Sequence, residues 1–148
     1  MKRKKFEYND RSRKSLEKSL QKISENISKL AGSRKSTLKK ADIFLLSHKE
    51  MARLKKKFLP REKGPPNVLA FPEPKHWPHP EKKNTGLGEI YLNQDLAKGN
   101  INELTCLLIH GILHLLGYDH KKKSDRIKME KLEKKLLNQP LITKKLIS

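Results

Sequence analysis

Three histidines in the last third of the chain have the spacing of a metal site. His110 and His114 are four residues apart in a stretch that is predicted to be helical, so both imidazoles should lie on one helix face. Gly117 permits a left-handed turn at the helix end, and this turn would bring His120 back to the same point. Three neutral imidazoles leave a fourth position open for water or substrate, as in catalytic zinc sites. We therefore expect one Zn²⁺ per chain at His110, His114 and His120.

A carboxylate next to the third histidine could support this site. Asp119 precedes His120 and could fix the tautomer and orientation of an imidazole, or serve as a general base. Histidines in an apolar helix are often satisfied core residues, but three at this spacing would each need a buried partner. The spacing therefore favours the metal site over a structural role.

The pattern HxxxHxxGxxH also matches the long zinc motif of metzincin proteases, with one departure. Gly111 stands where those proteases carry the catalytic glutamate, and proteolysis of that type requires a carboxylate as general base. A metalloprotease, or another zinc hydrolase that acts on small substrates, is therefore disfavoured.

Apolar spacing predicts the elements that must position these residues. Leucines and isoleucines three and four residues apart predict an amphipathic helix closed by Gly32, and capping-box spacing at Ser47 and Asn100 predicts two further helix starts. A last helix should begin near Ser124 and end before Pro140. Short apolar segments predict strands at residues 6–9, 41–46, 67–71 and 88–92, the second of them buried.

The third and fourth predicted strands should pair as a hairpin. This mixture indicates an α+β fold in which helices pack on a small mixed β-sheet of about four strands. The length of 148 residues suits one domain, so we expect a single domain over residues 1–148 with flexible ends at 1–12 and 139–148.

The charge of the chain points to a polyanionic partner. Lys and Arg number 35 against 16 Asp and Glu, which gives a formal net charge of +19 and favours RNA or DNA. A lysine-rich composition without functional meaning is the alternative. Integral membrane placement is excluded, because no apolar stretch is long enough to span a bilayer. The single cysteine, Cys106, and the lack of a secretory signal lead us to expect a cytoplasmic protein.

The chain resembles the YbeY family of bacterial rRNA maturation factors and endoribonucleases. The likeness rests on HGILHLLGYDH (His110–His120), which is close to the signature of that family with its ligands unchanged. PPNVLAFP (Pro65–Pro72) is similar to the family's PT(D/N)VLSFP, and LGEI (Leu87–Ile90) is similar to its LGDI. The order of helices and strands agrees from about Lys39 to Leu136, whereas the N-terminal part matches only in kind.

This resemblance implies a single-strand-directed, metal-dependent endoribonuclease with an α+β fold and zinc at the three histidines. Such a nuclease would act in 16S rRNA 3′-end processing and ribosome quality control, with the 16S rRNA precursor and the small ribosomal subunit as partners. A non-catalytic, rRNA-binding ribosome-assembly factor with a structural metal is the alternative.

The family also carries an arginine ahead of its PT(D/N)VLSFP motif, where it is taken to bind or activate the RNA phosphate. In this chain the position falls on Leu59 or Pro60, or on Arg61 if one residue is inserted. We assign the role to Arg61, with a solvated loop charge as the alternative. Zinc would polarise a phosphodiester oxygen and acidify a water, while the guanidinium steadies charge on phosphorus.

A proline-rich segment at residues 73–86 is predicted to be a long exposed loop. Trp77 lies there between His76 and His79, and an aromatic ring between basic residues could stack on an unpaired base. A surface loop without such a role is the alternative.

Overall fold

Along the described chain, a helix, a strand and a second helix come first, two strands follow, and two helices come last. A computed structural model describes residues 10–31, 40–60, 66–72, 86–98, 100–118, 121–140 and 142. The helices are α1 (Asp10–Ala31), α2 (His48–Phe58), α3 (Ile101–Leu115) and α4 (Lys123–Leu137), and the strands are β1 (Ala41–Leu46), β2 (Val68–Pro72) and β3 (Gly88–Asn93). In these ranges, no helix has the length and apolar character needed to cross a membrane.

The strands form one mixed sheet in the order β1-β3-β2. β1 runs parallel to β3, with Ala41 opposite Gly88. β2 runs antiparallel to β3, with Val68 opposite Leu92. The α+β class and the antiparallel pairing of these neighbouring strands are thereby confirmed. The strand predicted at residues 6–9 lies outside the described residues.

One face of the sheet packs against α1 and α3 and forms the core. Apolar spacing on α1 places three side chains there with no solvent exposure, Leu20, Ile23 and Ile27. The strands add alternate residues, because successive side chains in a strand point to opposite faces. The inward set consists of Ala41, Ile43 and Leu45 from β1 and Ile90 and Leu92 from β3, each at most 5% exposed.

β1 is buried on this face only. Asp42 and Phe44 point the other way and are exposed. The prediction of a buried strand at residues 41–46 is therefore right for one face only. Because most of these residues are apolar, the sequence did not show that buried and exposed side chains alternate along the strand. The outer face of the sheet carries α2, whose Met51 is fully buried.

Capping residues set where α2 and α3 begin. Ser47 accepts a hydrogen bond from the backbone of Glu50, whose side chain in turn accepts one from the backbone of Ser47, so the predicted capping box is present. Asn100 caps α3 by accepting hydrogen bonds from the backbone N–H groups of Asn102 and Glu103. The second cap fixes the start of the helix that carries His110 and His114.

Candidate metal centre

His110 and His114 project from the same face of α3, as their spacing predicted. Their Nε2 atoms lie 3.0 Å apart. The ring centroids are 4.6 Å apart and the ring planes meet at 80°. Both side chains are partly buried. The two imidazoles thus converge through the same nitrogen on one point.

Glu133 approaches His110 from α4. Its Oε1 lies 2.9 Å from His110 Nδ1, and the two side chains are 31% and 34% exposed. A carboxylate at this nitrogen favours the tautomer that carries the proton on Nδ1 and the lone pair on Nε2, and a lone pair on Nε2 is what a cation binds. Sequence reasoning missed Glu133, because it lies 23 residues from His110 and on another helix. Only the packing of α4 on α3 brings the two together.

Gly117 ends α3 in a Schellman motif. The Tyr118 N–H donates to the Leu113 carbonyl and the Gly117 N–H donates to the His114 carbonyl. Gly117 has φ +101°, in the region that glycine tolerates best. The predicted glycine turn is therefore present three residues after the second histidine.

Three predicted site residues, Arg61, Asp119 and His120, lie outside the described residues, as does Trp77. Within the residues that the structure does describe, no group of three His, Cys, Asp or Glu side chains could hold a metal ion. The structure therefore brings together two of the three predicted ligands and adds Glu133 behind the first.

The donor set that is present fits a zinc ion. Two imidazole nitrogens bound to one ion at about 2.0–2.1 Å, in a tetrahedral arrangement, would be about 3.3 Å apart. The observed separation of 3.0 Å between the His110 and His114 Nε2 atoms is close to this value. Ligating histidines commonly donate their other N–H to a carboxylate, and Glu133 lies in that position.

Cys106 does not extend this donor set. Burial, followed by the negative charges of Glu133 and Glu103, raises the pKa of the Cys106 thiol above its ordinary value. A thiol binds metal as the thiolate, so a raised pKa disfavours Cys106 as a ligand at neutral pH.

Gly111 serves the packing of α3 on the sheet. A Cβ atom at this position would lie 3.2 Å from one side-chain carbon of Ile90 and 3.3 Å from one of Val68. The position thus faces the sheet, and even a Cβ atom there would require the Ile90 or Val68 side chain to move by a few tenths of an ångström. Glycine at residue 111 lets the histidine-bearing helix approach β2 and β3 closely.

Comparison with known proteins places these observations in a family. The family model for endoribonuclease YbeY matches residues 3–140. Endoribonuclease YbeY of Parafrankia sp. (strain EAN1pec) is 41% identical over 90 residues, which are 51% of this chain and 57% of that protein. The protein of the same name from Ehrlichia canis (strain Jake) is 36% identical over 104 residues, 65% of this chain and 64% of that one.

These matches therefore span less than two thirds of the length of either relative. A solution structure of TM1509 from Thermotoga maritima is also similar, at a TM-score of 0.49 and 26% identity over 88% of this chain and 83% of that one. Because the family model covers nearly all of the sequence, the chain belongs to the YbeY endoribonuclease family.

Proposed function

We propose that this chain is a zinc-dependent, single-strand-specific endoribonuclease of the cytoplasm. It would act in 16S rRNA 3′-end maturation and ribosome quality control, on the 16S rRNA precursor and the small ribosomal subunit, as one domain over residues 1–148. One observation carries the proposal: His110 and His114 converge through Nε2 at 3.0 Å, with Glu133 behind the first. Membership of an endoribonuclease family supports RNA as the substrate of this centre.

Each residue of the centre has a distinct part in this proposal. His110, His114 and His120 would hold the zinc ion, and Glu133 would keep His110 in the tautomer that binds through Nε2. When bound, zinc supplies Lewis acidity that polarises a phosphodiester oxygen and acidifies water. Arg61 would stabilise charge that develops on phosphorus, and Asp119 would orient His120 or accept a proton.

The charge that follows the third proposed ligand in the sequence suits an RNA backbone. Lys121, Lys122 and Lys123 come directly after His120 and are exposed. Exposed cations attract phosphates without reading the base sequence. These lysines would therefore add to the general attraction of the chain for RNA.

Single-turnover cleavage of a short unstructured RNA tests the proposed function. The purified chain should cleave it, a chelator should stop the reaction, and added Zn²⁺ should restore it. His114→Ala should neither cleave nor hold a stoichiometric metal ion. Cleavage that survives metal removal would refute zinc dependence. Binding of rRNA without any cleavage by the unmodified chain would instead support the assembly-factor alternative.

Arg61→Ala tests the remaining catalytic assignment. A cation aimed at the reacting phosphate acts mainly in the transition state, so we expect a loss of about a hundredfold in cleavage rate. RNA affinity should change little, because many other cations supply ground-state attraction. Retained metal in the variant controls for damage to the centre. A variant that cleaves as fast as its parent would move this role to another basic residue, Arg53 or Lys63.

A further inference from the structure

Four aromatic rings form a continuous row on the outer face of the sheet, opposite the face that packs on α3. Phe44 stacks on Tyr91 with 5.0 Å between ring centroids and 19° between planes. Tyr91 meets Phe71 edge to face at 5.9 Å. Phe71 in turn meets Phe58, the last residue of α2, at 5.4 Å. The aromatic row therefore crosses β1, β3 and β2 and ends on α2.

The two ends of the aromatic row are open to solvent. Phe44 is 37% exposed and Phe58 is 53% exposed, while Tyr91 and Phe71 between them are partly exposed. The alternation of side chains along each strand explains why these residues point to the outer face. It does not explain why they are aromatic, since polar side chains would serve equally well on a face in contact with solvent. Exposed apolar side chains that adjoin one another, unlike apolar side chains that are exposed singly, are a feature of interaction sites.

Basic side chains border the aromatic row. α2 carries five Lys or Arg residues and a single acidic residue, Glu50. The exposed members of this basic set are Lys49, Arg53, Lys56 and Lys57. The Lys57 ammonium lies 5.3 Å from the centre of the Phe58 ring. Aromatic rings beside cations are the combination that single-stranded nucleic acid binds, with bases on the rings and phosphates on the cations.

Two acidic residues, Asp42 and Glu89, are exposed on the same face. Glu89 accepts a hydrogen bond from the Tyr91 hydroxyl at 2.5 Å. Burial, followed by this hydrogen bond and the charges of Glu89 and Asp42, raises the pKa of Tyr91 to about 12, so the ring stays neutral. The acids therefore lie towards β1 and β3, and the cations lie at the Phe58 end. A bound strand would place its phosphates on the α2 side.

We propose that the aromatic row binds unpaired bases of single-stranded RNA, a stretch of the substrate that flanks the cleaved bond. This inference rests on the proposed nuclease function. β2 connects the two sites: it is an edge strand of the described sheet, its outer face holds Phe71, and its inner face meets Gly111 of α3 through Val68. One RNA strand that passes around this edge could contact both the row and the histidines.

The test compares the parent with a Phe44→Leu/Phe58→Leu double variant. Leucine keeps both positions apolar and removes only the rings. Binding of a fluorescent unstructured oligouridine is measured by anisotropy in the cold, with RNA integrity checked on a denaturing gel. Loss of a base–aromatic stack should weaken binding on the order of tenfold per ring. The dependence of binding on salt should be unchanged, because the phosphate contacts remain.

Matched variants separate stacking from other effects. Leu30→Ala truncates an apolar side chain of similar exposure, 39%, on α1 and should leave RNA binding unchanged. Lys56→Gln should reduce the salt dependence and leave the contribution of the rings intact. Thermal unfolding of every variant shows whether the fold is retained.

Two outcomes would overturn the inference. If the parent cleaves the oligouridine and the folded double variant binds it as tightly as the parent does, the row is not an RNA surface while the nuclease function stands. If sedimentation shows a dimer of the parent that the double variant loses, with RNA binding unaffected, the row is a contact between two copies. A parent that neither binds nor cleaves RNA refutes the nuclease function itself.

Discussion

At the scale of single residues, the contact between Glu133 and His110 determines the chemistry of the candidate centre. Without a partner on Nδ1, an imidazole can carry its proton on either nitrogen, and in one tautomer Nε2 cannot bind a cation. The carboxylate at 2.9 Å removes this ambiguity for His110. It would also add negative charge close to a cation bound at Nε2 without itself being a ligand.

We expect Glu133→Gln to weaken zinc binding by roughly 10- to 100-fold, the usual effect of losing a carboxylate that hydrogen-bonds to a metal-binding histidine. Competition between the folded protein and a chromogenic chelator measures the affinity without any need for RNA. Glu130→Gln is the matched control, since Glu130 is exposed on the same helix one turn earlier. Equal affinity in the parent and in Glu133→Gln would show that the contact does not support metal binding.

At the scale of elements, the ends of the helices fix where the functional side chains lie. The capping box at Ser47 starts α2, and the Schellman motif at Gly117 ends α3. Both motifs act through local hydrogen bonds, which is why the sequence alone could locate them. Each can be tested by a substitution that leaves the core untouched.

Gly117→Ala should lower the free energy of unfolding by about 1–2 kcal/mol, the cost of a left-handed conformation for a residue with a Cβ atom. The cause would be backbone strain at φ +101°, because among the described residues, the two chain neighbours aside, no atom lies within 4 Å of the added carbon. Gly117→Asn should cost less, since asparagine tolerates positive φ. Urea unfolding checks both values. An alanine variant as stable as the parent would contradict the assigned role of this turn.

The capping box gives a pH dependence whose sign can be worked out. Burial raises the pKa of Glu50, but hydrogen bonds from the Ser47 backbone and side chain and from Arg13, with the charge of Arg13, outweigh it and lower the pKa below 4.5. A lowered pKa in the folded state stabilises the protein at pH values above 4.5, and this contribution is lost as the pH falls through the folded-state pKa.

The stability difference between the parent and Glu50→Gln should therefore be full at neutral pH and vanish in acid. Unfolding measured across this pH range checks the prediction. Ser47→Ala removes one of the hydrogen bonds, so in its background the loss should occur at a higher pH. A difference that is equally large in acid and at neutral pH would show that the charge of Glu50 contributes nothing.

The sequence predicted features that depend on residues close together in the chain. It did not predict features that depend on how distant helices and strands pack together. The spacing of His110 and His114 is enough to place both on one helix face, and Ala41–Leu46 is a strand as predicted. The parallel partner of that strand could not be predicted, because β3 begins 47 residues after β1. Glu133 could not be found either, since its role follows from how α4 packs on α3.

At the scale of the whole molecule, the net charge of +19 governs how any RNA is first held. Lys and Arg residues occur on α1, α2 and α4 but not on α3, so the attraction comes from several elements and not from the histidine-bearing helix. Such a field raises association rates and yields affinity that is independent of base sequence. The histidine centre and the aromatic row would then bind an RNA strand that the positive charge of the surface has already attracted.

RNA binding should therefore depend steeply on salt. If about five phosphates of a single strand are neutralised, affinity should fall about a hundredfold between about 50 and 200 mM salt. Anisotropy titrations of an unstructured oligonucleotide over this range measure the slope. A flat profile would argue against nucleic acid as the partner, and tighter binding of duplex RNA than of single strands would contradict the proposed specificity.

The central place of β3 in the sheet has a consequence for synthesis of the chain. β1 and β2 both hydrogen-bond to β3 and not to each other. During translation, the described sheet cannot begin to close until β3 starts to leave the ribosome at Gly88, since both earlier strands wait for the same partner. Closing such non-local pairs is slow, because loop entropy is lost before the contacts form. The apolar strands made first are thus the part of the nascent chain most exposed to misassembly.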